Sequence, residues 1–144
     1  MTGKFLIDIT DPRFLITSNE SVMNFVRQTN PFAHSDLGSL LLELGKKIVG
    51  SRAYCPSYGS CAYVVLSTES NRIYAIAFGQ RGLAFRLDEN HIAEAIEDGG
   101  ARAPEIGADW ISFQPWDPKD AAVRAARLAR WSAAAFQTAT AAAI

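Results

Sequence analysis

The sequence predicts an α+β fold of two layers, an antiparallel sheet built on a three-stranded meander with helices packed on it. Three observations carry that prediction. The runs 61–68 (CAYVVLST), 73–78 (IYAIAF) and 83–87 (LAFRL) are rich in β-branched and aromatic residues. Only residues 69–72 and 79–82 separate them, and connections that short force antiparallel neighbours, because parallel strands need a long crossover. Helical periodicity brackets the meander, with Leu37, Leu40, Leu41, Leu44 and Ile48 before it and Leu128, Trp131, Ala135 and Phe136 after it.

The remaining elements follow in order. Residues 4–9 form a candidate strand that Asp11-Pro12 breaks, and 14–17 resume an extended pattern. Ser18 or Asn19 caps a short helix carrying Val22, Phe25 and Val26, which ends before Asn30-Pro31. Ser35 starts the next helix with Asp36 in its first turn, and Gly50 supplies the left-handed residue beyond its end. Residues 51–60, with Pro56, Gly59 and three serines, read as a loop leading into the meander. The middle strand, apolar on both faces, is expected to be covered on both sides or central in the sheet. Asp88 caps a helix with Ile92, Ala95 and Ile96 on its inner stripe, closed by Gly99-Gly100. Residues 104–108 read as loop and 110–114 (WISFQ) as a fourth strand. Asp117-Pro118 starts the last helix, which runs to about Phe136.

At 144 residues with 49% hydrophobic and 20% charged side chains, the chain has the size and composition of one globular domain. Within residues 1–144, residues 1–33 form an N-terminal extension packed on the core, 34–136 the core, and 137–144 a tail that frays. The longest apolar runs fall far short of the ~20 residues of a membrane span. Asp8 and Asp11 interrupt the N-terminal apolar stretch, which does not read as a signal peptide. A cytoplasmic location with reduced thiols is the expectation.

Catalytic and metal signatures are sparse. Cys55 and Cys61 are five residues apart in CPSYGSC, a spacing unlike the redox pair with two intervening residues, although the Gly/Pro/Ser loop leaves a bond between them open. His34 and His91 stand alone, with no partner at the close spacing of structural zinc ligands, and His91 reads as a solvated side chain. Gly79-Gln80-Arg81-Gly82 joins two strands, whereas a phosphate-cradling loop joins a strand to a helix. No cofactor, metal or catalytic residue is therefore assigned.

Charge is the more suggestive feature. The net charge is −1, so the molecule as a whole has no field that would draw it to nucleic acid. Up to Asp117 there are ten Lys/Arg against fourteen Asp/Glu, and after it four against one. Arg124, Arg127 and Arg130, with Lys119 one turn earlier, form an oblique basic ridge on the last helix. That ridge suits phosphates or an acidic protein surface, and equally a solvated face whose arginine stems cover apolar surface. The first functional expectation is a non-enzymatic binding or interaction domain, contacting nucleic acid or protein through Lys119, Arg124, Arg127 and Arg130. It involves no membrane, and the chain is a monomer or weak homodimer. The second is a small-molecule-binding or enzymatic domain whose pocket lies between the sheet and the C-terminal helix, where Tyr58, Tyr63, Arg86 and Trp110 converge. Arg81 and Arg86 are taken as exposed meander residues, and Trp110 and Trp116 as core.

The motifs Arg72-Ile73-Tyr74-Ala75, then Leu83-Ala84-Phe85-Arg86-Leu87-Asp88, then Ile106-Gly107-Ala108-Asp109-Trp110-Ile111, with the closing helix, resemble the small bacterial MmcQ/YjbR-like and TfoX N-terminal-like domains over residues 35–136. Residues 1–33 have no counterpart in that resemblance, and CPSYGSC takes the place of the usual loop. The resemblance implies a two-layer α+β fold and, for some relatives, a proposed DNA-binding or competence-regulatory role. It implies no enzymatic activity.

Overall fold

The computed structural model describes residues 6–7, 12–29, 35–56, 63–78, 82–114 and 119–141. Its centre is the expected meander: β3 (Tyr63–Ser67), β4 (Ile73–Phe78) and β5 (Gly82–Arg86), paired antiparallel in that order. The β3–β4 turn works because Asn71 takes φ +62°, a region that asparagine tolerates better than most side chains. Asn71 N donates to Ser67 O at 2.7 Å, and Ser67 N to Arg72 O at 3.0 Å.

Four more strands extend this sheet. The segment read as a loop at 51–60 instead begins with a strand, β2 (Ser51–Pro56), antiparallel to β3 with Ser51 opposite Ser67 and Tyr54 opposite Val64. The Ser51 hydroxyl donates to Gly45 O and Ile48 O, so the serine that suggested a turn anchors the strand to the preceding helix end. β1 (Leu6–Ile7), inside the strand expected at 4–9, pairs parallel with β2. On the other side β7 (Trp110–Phe113) pairs with β5, and β6 (Ala101–Arg102) pairs with β7. The order is β1-β2-β3-β4-β5-β7-β6.

The α+β class is thus as the sequence implies. Helices α2 (Ser35–Lys46) and α4 (Ala121–Ala141) pack on one face, where Leu37, Leu41, Tyr74, Phe85 and Trp131 share a core. Helix α1 (Glu20–Thr29) covers the other, where Val22, Met23 and Val26 meet Ile73, Ile76 and Trp110. The N-terminal segment therefore adds a helix layer to the second face, and β4 is buried from Ile73 through Ala77, as its two-sided apolar pattern implied.

Helix ends follow side-chain chemistry. Asp88 caps α3 (Glu89–Glu97) by accepting from His91 N at 3.1 Å, and Gly50 and Gly99 take φ of +92° and +102° beyond α2 and α3. Three expectations are corrected. Residues 14–17 form no strand: Phe14 lies in a turn, Ile16 alone is extended, and Thr17–Asn19 is a short 3-10 helix. Asn19 does not cap α1; its side chain instead accepts from Ile73 N and donates to Asn71 O, both at 2.8 Å. The last helix continues past Phe136 to Ala141, because Ala139 is buried and the Thr140 hydroxyl meets that of Ser67 at 3.0 Å. Its N-terminal amides, Ala122 N and Val123 N, donate to Asp120 Oδ1. The helix starts at Ala121 rather than at Pro118, because Asp120 and not Asp117 accepts from its first amides and Lys119 and Asp120 are not helical. Asp117-Pro118 itself lies outside the described residues, as do Asn30-Pro31, His34, Tyr58, Cys61, Arg81 and Trp116. The Cys55 side chain is not described either. Among the described residues no helix is long and apolar enough to cross a membrane.

Candidate functional site

The basic ridge is largely engaged within the molecule. Arg127 lies over the Phe113 ring, 5.3 Å from its centroid, and donates to Asp98 O at 3.2 Å and Gln114 O at 3.1 Å. Arg130 pairs with Glu94 of α3 and lies 4.6 Å over the Trp131 ring. Arg124 reaches back to Lys119 O at 3.5 Å, and Lys119 is exposed. Helix α4 thus uses two of its arginines to bind α3 and the end of β7.

The residues expected to line a pocket do not converge. Tyr63 packs against the core shared with α2, while Trp110 belongs to the core on the opposite face. Arg86 and Trp110 are cross-strand partners, and the guanidinium lies 5.2 Å from the Trp110 ring centroid. Arg86 is not an exposed meander residue: it is only 2% exposed, and Trp110 is fully buried. The Arg86 side chain sits on the α1 face because it alternates with Phe85 and Leu87, which point to the other.

Another site forms where one end of the sheet meets α3 and α4. Strand β5 ends between the starts of β4 and β7, so Leu87 and Asp88 form a floor flanked by Arg72 on one side and Asp109 on the other. The start of α3 contributes Glu89 and His91, and the final turns of α4 contribute Gln137, Thr138 and Ala141. These residues enclose a cleft of about 570 Å³, within the usual range of small-molecule sites.

The polar groups are held unequally. Asp88 Oδ1 lies 2.7 Å from His91 Nδ1 while also capping α3, which fixes the imidazole at the cleft wall. His91 keeps 38% side-chain exposure, and the pairing with Asp88 is what its reading as a solvated side chain lacked. Arg72 Nη1 donates to Thr138 O at 3.3 Å, but its Nε is buried without a hydrogen-bond partner. No carboxylate pairs with Arg72 among the described residues. Arg86 Nε stands 4.0 Å from Asp109 Oδ2, too far for a hydrogen bond, and is also buried without a partner. Burial pulls the Arg86 pKa down to about 10; nearby Asp109 opposes that shift and Arg72 adds to it. The end of the sheet therefore holds two mutually repelling guanidinium groups beside one partly exposed carboxylate.

Most of these cleft residues were not singled out from sequence. Arg72 and Asp109 mattered only as members of short motifs, and Gln137 and Thr138 belonged to a segment expected to fray. The available signal was Asp88 with His91 three residues on, where an N-cap and an imidazole share one turn. Among the described residues there is no group of three or more His, Cys, Asp or Glu that could hold a metal ion. Comparison with protein-family models, curated proteins and solved structures finds no match for this chain.

Proposed function

We propose that the chain is a small-molecule-binding domain whose ligand occupies the cleft between the β5 end, the start of α3 and the last turns of α4. Arg72 carries this reading. Its Nε is buried without an acceptor, it lines the cleft, and no carboxylate among the described residues neutralises it. The Arg72 guanidinium has no carboxylate to balance its charge among the described residues, and a ligand anion entering the cleft supplies that counter-charge. Asp88, Glu89, His91 and Asp109 add four further titratable groups to the same wall, and convergent polar groups in a concave site are the mark of a ligand pocket.

The rival reading is a protein or nucleic-acid contact through the ridge on α4; separately, the resemblance to YjbR-like and TfoX-like domains implies, for some relatives, a proposed DNA-binding role. Arg127 and Arg130 are committed to Asp98, Gln114 and Glu94, so recruiting them to a partner requires breaking those contacts first. The cleft needs no such rearrangement.

Thermal unfolding with a panel of amino acids, hydroxy acids, sugar phosphates and nucleosides at millimolar concentration tests this. At least one compound should raise the Tm of the native chain by about 2 °C or more, through binding to the folded state alone. The same compound should have no effect on Arg72→Gln. A panel without effect, or an equal rise in Arg72→Gln, would count against the cleft.

A further inference from the structure

Resting on that reading of the cleft, we infer that its ligand is bipolar, a small zwitterion whose anionic group meets Arg72 and whose ammonium meets the Asp109–Glu89 side. The topology supplies the geometry. Arg72 precedes β4 and Asp109 precedes β7, while β5 runs between those two strands. Neighbouring strands lie about 4.8 Å apart, so the two backbones are separated by about 10 Å.

Between them the floor is Leu87, which has no charge, and Asp88, whose Oδ1 is held by His91 and the α3 cap while its Oδ2 adds acceptor capacity toward the acidic side. The cationic flank is deficient in acceptors, since Arg72 has a buried Nε without a partner and only a backbone carbonyl on Nη1. The opposite flank has acceptor capacity to spare. Asp109 is partly exposed and meets Arg86 only at 4.0 Å, and Glu89 is exposed in the first turn of α3.

Charge complementarity excludes the simpler alternatives. A compact dianion on Arg72 would have one of its two charges unbalanced and would face Glu89 and Asp109 across the cleft. A plain amine would satisfy the acidic flank and leave the Arg72 guanidinium without a counter-charge. A molecule with opposite charges at its two ends satisfies both flanks, and each charge-assisted hydrogen bond is stronger than a neutral one.

Calorimetric titration of the native chain with glycine, β-alanine, γ-aminobutyrate and δ-aminovalerate tests this against butyrate and butylamine. The zwitterions should tighten with chain length. The best should bind about tenfold or more tighter than either singly charged control. Arg72→Gln should abolish that advantage, and Glu89→Gln, an exposed change that leaves the fold intact, should reduce it. Arg72→Lys, which keeps the charge and loses the Nε donor, should fall between. Butyrate or butylamine binding as tightly as the zwitterions would overturn the bipolar assignment, as would no binding by any member of the series. If other compounds in the wider panel stabilise the native chain but not Arg72→Gln while this series fails, the cleft stands and only its ligand class falls.

Discussion

Asn19 ties the turn that precedes α1 to the start of β4, 54 residues further along the chain. Its Oδ1 accepts from Ile73 N at the start of β4, and its Nδ2 donates to Asn71 O at 2.8 Å and Arg13 O at 3.4 Å. The residue is fully buried, so Asn19→Ala leaves the Ile73 amide in the core without an acceptor. Equilibrium urea unfolding should show a loss of about 2–4 kcal/mol; a loss under about 0.5 kcal/mol would mean that water replaces the side chain. Tyr74 shows the converse. Its hydroxyl is buried beside Ser51 and Ser132 without a hydrogen bond of good geometry, and burial pushes its pKa up to about 12 while those hydroxyls partly oppose the shift. Folding favours the neutral phenol, so its contribution is present below the ordinary value of 10.0 and is lost as pH rises through about 12. Tyr74→Phe should match or exceed the native stability at neutral pH and lose less of it between those two values. Stability curves of parent and variant that stay parallel across that range would contradict the assignment.

At the scale of elements, the ridge on α4 reads as a fastening. Arg127→Gln removes two hydrogen bonds to backbone carbonyls and the cover over Phe113, and chemical denaturation should register a loss of about 1–2 kcal/mol. Arg130→Gln breaks a half-exposed pair with Glu94 and should cost under about 1 kcal/mol. If both changes leave stability untouched, the arginines are free for a partner and the ridge regains its standing. The same elements show what could be read in advance. The meander, α2 and α3 were legible because alternation, helical spacing and caps such as Asp88 act locally. Strand β2 was not, because Ser51 and Pro56 carry turn chemistry, and its pairing with β3 is decided by residues ten to sixteen positions away. Arg86 looked like an exposed meander charge because alternation within one strand does not reveal that α1 covers the second face.

For the whole molecule, the cleft was beyond the sequence for a related reason. Its parts come from the starts of β4 and β7, the first turn of α3 and the end of α4, and only sheet order brings them together. Within that assembly the rule that buried polar groups find partners is broken at Arg72 Nε, as it also is outside the cleft at Tyr74 Oη, Arg86 Nε, Trp110 Nε1 and Arg127 Nε. The functional reading rests on this end of the sheet because there the unbalanced Arg72 lines a cleft together with Asp88, Glu89, His91 and Asp109. The most direct measurement is backbone-amide NMR mapping of the panel compound that raises the Tm most. Shifts concentrated at Arg72, residues 87–91, Asp109 and residues 137–141 are the predicted result. Shifts confined to residues 119–130, with the cleft amides unmoved, would contradict it.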